Sequence, residues 1–93
     1  MIEPAGEKQR IDKWLFFARI VKSRSLAQKL VEGGKVALNG AACRSASQML
    51  RPGDRLLIRM ERQVRDIEVL MPGERRGPAP EAQSLYVDHT PPP

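Results

Sequence analysis

The chain has 93 residues, 41% hydrophobic and 29% charged, with a formal net charge of +5 and one cysteine. That length holds one domain with a modest core and leaves no room for a catalytic domain beside a binding domain. An internal disulfide is excluded, no apolar run approaches the roughly 18 residues of a membrane span, and the polar start MIEPAGEKQR lacks the apolar stretch of a secretory signal.

A cytoplasmic location is therefore expected. Charge is unevenly spread. Seven of the sixteen basic residues fall between Arg10 and Lys35, opposed there only by Asp12 and Glu32, a net +5. The remaining nine cations meet nine acids. Such a patch on ordered elements is the footprint of a polyanion binder, most often of nucleic acid. The competing explanation is a solvated helix face that serves solubility. Acids are plentiful elsewhere in the chain, so solubility does not account for their scarcity here.

Residues 1–9 are polar, contain Pro4 and Gly6, and read as a flexible N-terminal arm. From Arg10 onward, Ile11, Trp14, Leu15, Ala18 and Val21 recur at helical spacing and predict one apolar helix face. Asp12 lies in the first turn, where a negative charge suits the helix dipole. Arg10, Lys13 and Phe17 project from roughly the opposite side. The pattern breaks at Val21-Lys22-Ser23, and Ser23 is a suitable N-cap for a second helix reaching Glu32. Leu26, Ala27, Leu30 and Val31 are its apolar residues, and Gly33-Gly34 stop it.

The period then changes. Val36-Ala37-Leu38 predicts a short strand, Asn39-Gly40 a hairpin turn, and Ala41-Ala42-Cys43 its partner. Gln48-Met49-Leu50 leads into the tight turn Arg51-Pro52-Gly53-Asp54. Arg55 to Met60 and Gln63 to Leu70 alternate as two strands joined at Glu61-Arg62. Periodicity is lost after Met71. The order predicts an α+β fold, with two short N-terminal helices packed on a small antiparallel β-sheet. The binding domain is expected over 10–71, followed by a proline-rich extension over 72–93 with one helical turn at 81–87.

Arg10, Lys13, Arg19, Lys22, Arg24 and Lys29 form the candidate phosphate-facing set. The short loops at Lys22–Arg24 and Lys35 can bring backbone N–H groups to the same anion. Arginine suits the task because its planar fork bonds phosphate oxygens in pairs. Phe16 and Phe17 leave two readings open. One ring stands partly exposed near Lys13, where a base could stack, or the sheet packs on that side and covers both.

Arg10-Ile-Asp-Lys-Trp-Leu, Lys22-Ser-Arg-Ser-Leu-Ala, Glu32-Gly-Gly-Lys-Val and Leu38-Asn-Gly together resemble the S-four RNA-binding domain, or αL motif, over about residues 10–60. The aromatic pair after Asp12-Lys13-Trp14-Leu15, together with Glu74-Arg-Arg, Ala79, Ala82 and Leu85-Tyr86, is similar to the bacterial heat-shock protein fifteen family. This extends the match to about residue 88. The resemblance implies binding to structured RNA, mainly ribosomal RNA. For the closer family it implies the free large ribosomal subunit, including subunits stalled with a nascent chain and its transfer RNA. The RNA-contacting residues it implies are Arg10, Lys13, Arg19, Lys22, Ser23, Arg24, Lys29 and Lys35, with Asn39 as a further candidate. Gly33, Gly34 and Gly40 would be structural. The closer family commonly continues into a long basic C-terminal helix; if that helix contributes to ribosome attachment, the neutral, proline-rich end at Pro93 implies weaker affinity or a different target.

No catalytic site is expected. His89 lies in the tail and reads as solvated, and Cys43 reads as a small buried hydrophobe. One distant pair of Cys and His makes neither a metal cluster nor an activated thiol. No P-loop or dinucleotide fingerprint is present. The expectation is a monomeric, non-enzymatic RNA binder with no cofactor, no small-molecule substrate and no membrane partner. A protein–protein adaptor with a basic face and a DNA-binding module are the alternatives. Arg24→Glu is expected to weaken RNA binding without unfolding the domain.

Overall fold

The computed structural model describes residues 8–92, so the arm expected over 1–9 lies outside them up to residue 7. Strand β1 (Gln9–Arg10) runs directly into helix α1 (Ile11–Phe17). Ile11, Trp14 and Leu15 are fully buried, as their spacing of three and four requires. The same apolar spacing continues to Val21, yet the helix stops at Phe17. Arg19 adopts a left-handed conformation with φ 60°. The Arg19 N–H donates to the Phe16 carbonyl at 3.1 Å and the Ile20 N–H to the Leu15 carbonyl at 3.0 Å. This is the double bond pattern of a helix stop that normally takes glycine. With an arginine there, the residues give no sign of it. Ile20 and Val21 stay buried all the same, which is why spacing alone overextends the helix.

Helix α2 (Arg24–Glu32) follows both of its expected signals. The Ser23 hydroxyl accepts from the Leu26 N–H at 3.1 Å. At the other end Gly34 takes φ 76°, and the Lys35 N–H donates to the Leu30 carbonyl at 3.0 Å. The two helices pack on each other, burying Ala27 and Val31 of α2 completely.

Strands β2 (Val36–Leu38) and β3 (Ala41–Cys43) form the expected hairpin. Asn39 and Gly40 both take positive φ, 50° and 85°, matching the twist of the flanking strands. The short β4 (Met49–Leu50) pairs with β1 in a separate ladder, Gln9 opposite Leu50 and Arg10 opposite Met49. Two-residue strands carry no periodicity, so this pairing has no sequence signal. Strands β5 (Arg55–Arg59) and β6 (Val64–Val69) then extend the main sheet. Leu56, Ile58, Ile67 and Val69 point to the core, whereas Leu57 and Val64 face out. The architecture is the expected α+β arrangement of helices on an antiparallel sheet.

The segment after residue 71 departs from its reading as an extension. Helix α3 covers Ala79–Gln83, so the expected helical turn starts earlier and ends sooner, and Tyr86–Asp88 form strand β7. The main sheet is ordered β3-β2-β5-β6-β7. β7 covers the edge that β6 would otherwise present to solvent, a pairing stronger than the local preference for a turn. Leu85 enters the core, and the Tyr86 ring lies edge-on to Trp14 at 6.3 Å. The Trp14 indole donates to the Met71 carbonyl at 2.9 Å. The Gln9 side chain makes two bonds with the Gly73 backbone, each 2.9 Å. His89 is held too: its N–H donates to the Asp66 carbonyl at 2.7 Å and its Nε2 lies 2.8 Å from Glu68 Oε1.

Candidate nucleic-acid interface

Asp12 is the one charged residue among the described residues with no exposure. Its carboxylate does more than suit a helix dipole. It accepts from both Arg10 Nε and a terminal nitrogen of Arg10 (3.2 and 3.1 Å), from Arg24 Nε (3.2 Å), from Gln28 Nε2 (3.0 Å) and from the Lys13 N–H (2.7 Å). Burial alone would raise its pKa. The bonds from Gln28, Arg10, Arg24 and the Lys13 backbone outweigh that and hold it below the ordinary carboxylate value. Arg10 and Arg24 are thus fixed by an internal partner, yet their side chains remain 43% and 45% exposed. Three charges gathered in this way leave one net positive. The guanidiniums are presented in a set orientation, so less side-chain entropy is lost when they meet an anion.

The lysines are disposed differently. Ion pairs among the described residues involve Arg10, Arg24, Arg55, Arg65, Arg75 and His89; Lys13, Lys22, Lys29 and Lys35 are in none of them. Lys13 sits on the exposed side of α1, its ammonium 5.5 Å from the centre of the Phe17 ring. At about 100° per residue, Lys29 takes the outer ridge of α2, with Arg24 and Gln28 on one flank and Leu26 and Leu30 on the other. Lys22, Lys29 and Lys35 border a shared groove on the leucine flank.

The other expected contacts have structural duties. Ser23 caps α2. Arg19 Nε donates to the Gly77 carbonyl at 2.6 Å, tying the end of α1 to the C-terminal segment. The Asn39 side chain donates to Asp54 at 3.0 Å and accepts from the Arg55 N–H at 2.9 Å, so its polar atoms hold two turns together. The structure therefore gathers Arg10, Lys13, Lys22, Arg24, Lys29 and Lys35 around the helix pair. Asn39 stands apart at the β2–β3 turn.

Phe16 and Phe17 are both partly buried against the core, and the C-terminal segment supplies part of their cover. Gly73 lies against Phe17, close enough that a Cβ there would sit 2.9 Å from the phenylalanine Cβ. The Arg76 guanidinium covers Phe16 at 5.1 Å. Arg76, far outside residues 10–35 in the chain, thus brings a further cation to the helix pair. It donates to the Val21 carbonyl at 3.4 Å, beside Lys22. Arg59 is a second such cation: its backbone N–H donates to the Lys35 carbonyl at 2.8 Å, and the two side chains border one hollow. Among the described residues no three His, Cys, Asp or Glu side chains gather to hold a metal, and no helix is long and apolar enough to cross a membrane.

Residues 9–56 match the model of the S4 domain, which spans both helices, the hairpin and the start of β5. The chain belongs to the S4 domain family. It is 37% identical over 82 residues to the heat shock protein 15 homolog of Haemophilus influenzae, a match covering 88% of this chain and 62% of that relative. The S4 chain thus spans under two thirds of that relative's length. A solved structure of Vibrio cholerae heat shock protein 15, described as trimeric, superposes with a TM-score of 0.82 at 40% identity, covering 88% of this chain and 82% of the other. The monomer expectation has no counterpart in that assembly. The RQC P-site tRNA stabilizing factor of Bacillus subtilis is 32% identical over 60 residues, 64% of this chain and 69% of the factor. The S4 match ends within β5, whereas the likeness to the Vibrio protein takes in most of the chain.

Proposed function

We propose that this S4 domain protein is a non-catalytic binder of structured ribosomal RNA, acting on the large ribosomal subunit in the rescue or recycling of stalled subunits. The observation that carries the reading is the state of the cations on the helix pair. Lys13, Lys22, Lys29 and Lys35 lack ion-pair partners among the described residues, and Arg10 and Arg24 are oriented by a buried acid while still open to solvent. Ammonium groups left unpaired on ordered elements retain their attraction for phosphate. Arg10, Lys13, Lys22, Arg24, Lys29 and Lys35 make the phosphate contacts in this reading. Ser23 contributes by fixing the N-terminus of α2, and Arg19 by fixing the end of α1. The relation to heat shock protein 15 and to a P-site tRNA stabilizing factor supports a ribosomal target bearing transfer RNA.

The test is sedimentation of the protein through a sucrose gradient with separated ribosomal subunits. Migration with the large subunit, and release by nuclease, is the expected result. Retention after complete nuclease digestion would favour a protein–protein adaptor. Competition by double-stranded DNA as effective as by structured RNA would favour a DNA-binding module, since only RNA offers 2′-hydroxyls.

A further inference from the structure

The leucine flank of α2 is only partly covered: Leu30 packs against the core, whereas Leu26 stays exposed. This flank faces the turn between β5 and β6 across an open groove of ≈ 520 Å³. Ile20, Leu26, Leu30 and Met60 line it with apolar surface, and Leu26 remains 43% exposed there. Lys22, Lys29 and Lys35 border the same groove, as does the acidic Glu61.

We propose that this groove takes one unstacked nucleotide of the bound RNA. The base lies on Leu26, Leu30 and Met60, the neighbouring phosphates meet the three lysines, and an amino hydrogen of the base is donated to Glu61. The inference rests on the RNA-binding reading and names the element that the RNA presents.

Two halves of the site argue for that ligand. An inorganic anion has no use for an apolar lining, and a purely apolar ligand has none for three ammonium groups. An extruded nucleotide has both an apolar face and an anionic edge. Bases leave the helical stack to lie on apolar or aromatic side chains, and they are then read along their polar edges. Lysine serves phosphate as a mobile point charge without demanding a fixed bidentate geometry, which suits a strand entering a groove. A carboxylate repels phosphate, so Glu61 belongs with the base. Acceptance from an exocyclic amino group favours adenine, cytosine or guanine over uracil, which has none. An acidic amphipathic peptide shares part of this chemistry. The nucleotide is preferred because Lys29 stands on the ridge of α2 between the groove and the Arg24 flank, making the groove continuous with the phosphate-facing surface.

The test compares two RNA hairpins that differ by one bulged adenosine, measured by fluorescence anisotropy at low salt. The bulged hairpin is expected to bind about tenfold more tightly. Leu26→Gln should remove that preference and leave affinity for the paired hairpin unchanged. Glu61→Gln should narrow the difference between a bulged adenosine and a bulged uridine. Glu61 lies in an exposed turn, so this variant carries the test if Leu26→Gln fails to fold. Equal affinity for the two hairpins, with binding still salt-dependent, would overturn the groove and leave the RNA reading intact. Failure to bind either hairpin would overturn both. Binding of a peptide of alternating Glu and Leu, lost in Leu26→Gln and unaccompanied by any bulge preference, would overturn the nucleotide in favour of a protein segment.

Discussion

Asp12 on α1 holds Arg24 at the start of α2, its carboxylate 3.2 Å from the guanidinium Nε. One buried acid thus joins the two helices and aims two of the cations that face solvent. The arrangement links folding to binding. It also changes how the cationic face has to be tested.

Asp12→Asn is expected to destabilise the fold by about 2 kcal/mol at pH 7, since a buried anion bonded to two guanidiniums becomes neutral. The Asp12 pKa is lowered in the folded chain. Its contribution is therefore complete above the unfolded carboxylate range and disappears as pH falls through the lower folded value. Urea unfolding at pH 7 and near pH 2 tests this. The gap between the wild-type chain and Asp12→Asn should be wide at the first and narrower at the second.

Charge reversal at Arg24 would place a second carboxylate against Asp12, so Arg24→Glu tests folding as much as binding. Lys29→Glu is the cleaner variant, because Lys29 stands on the exposed ridge of α2 with no ion pair among the described residues. RNA affinity is expected to fall about tenfold at low salt, with the melting temperature unchanged within error. Unaltered affinity would reduce Lys29 to a surface charge.

At position 19, glycine should be more stable than alanine, the reverse of the ordinary helix preference. Both variants lose the Arg19 bond to Gly77. Only glycine relieves the left-handed backbone, with an advantage of about 1 kcal/mol in thermal or urea melts.

Shortening the chain to residues 1–71 should lower stability by at least about 2 kcal/mol, the worth of one buried leucine. That cut removes Leu85 from the core, β7 from the edge of β6, and the Tyr86 ring from Trp14. Hydrogen exchange should show β6 amides losing protection first.

The two helices, the Asn39-Gly40 hairpin and the alternating β5 and β6 are legible in the residues because each carries a repeated apolar period or a specific turn signal. The end of α1 is not, because Arg19 does what glycine normally signals. The β1–β4 ladder is too short to show a period. β7 is decided by the open edge of β6, a tertiary circumstance invisible in Tyr86-Val87-Asp88 alone. At the candidate site the charge excess of residues 10–35 is plain. Its division is not: the Asp12 bonds to Arg24 and Gln28 depend on how α1 crosses α2, and the lysine-bordered groove needs Met60 and Glu61 brought beside Leu26.

The central claim is that the cations of the helix pair hold an RNA backbone. The dependence of affinity for structured RNA on salt concentration tests it most directly. About five neutralised phosphates correspond to a slope of log affinity against log salt of roughly −4 to −5. A slope near zero, with binding intact, would contradict the account.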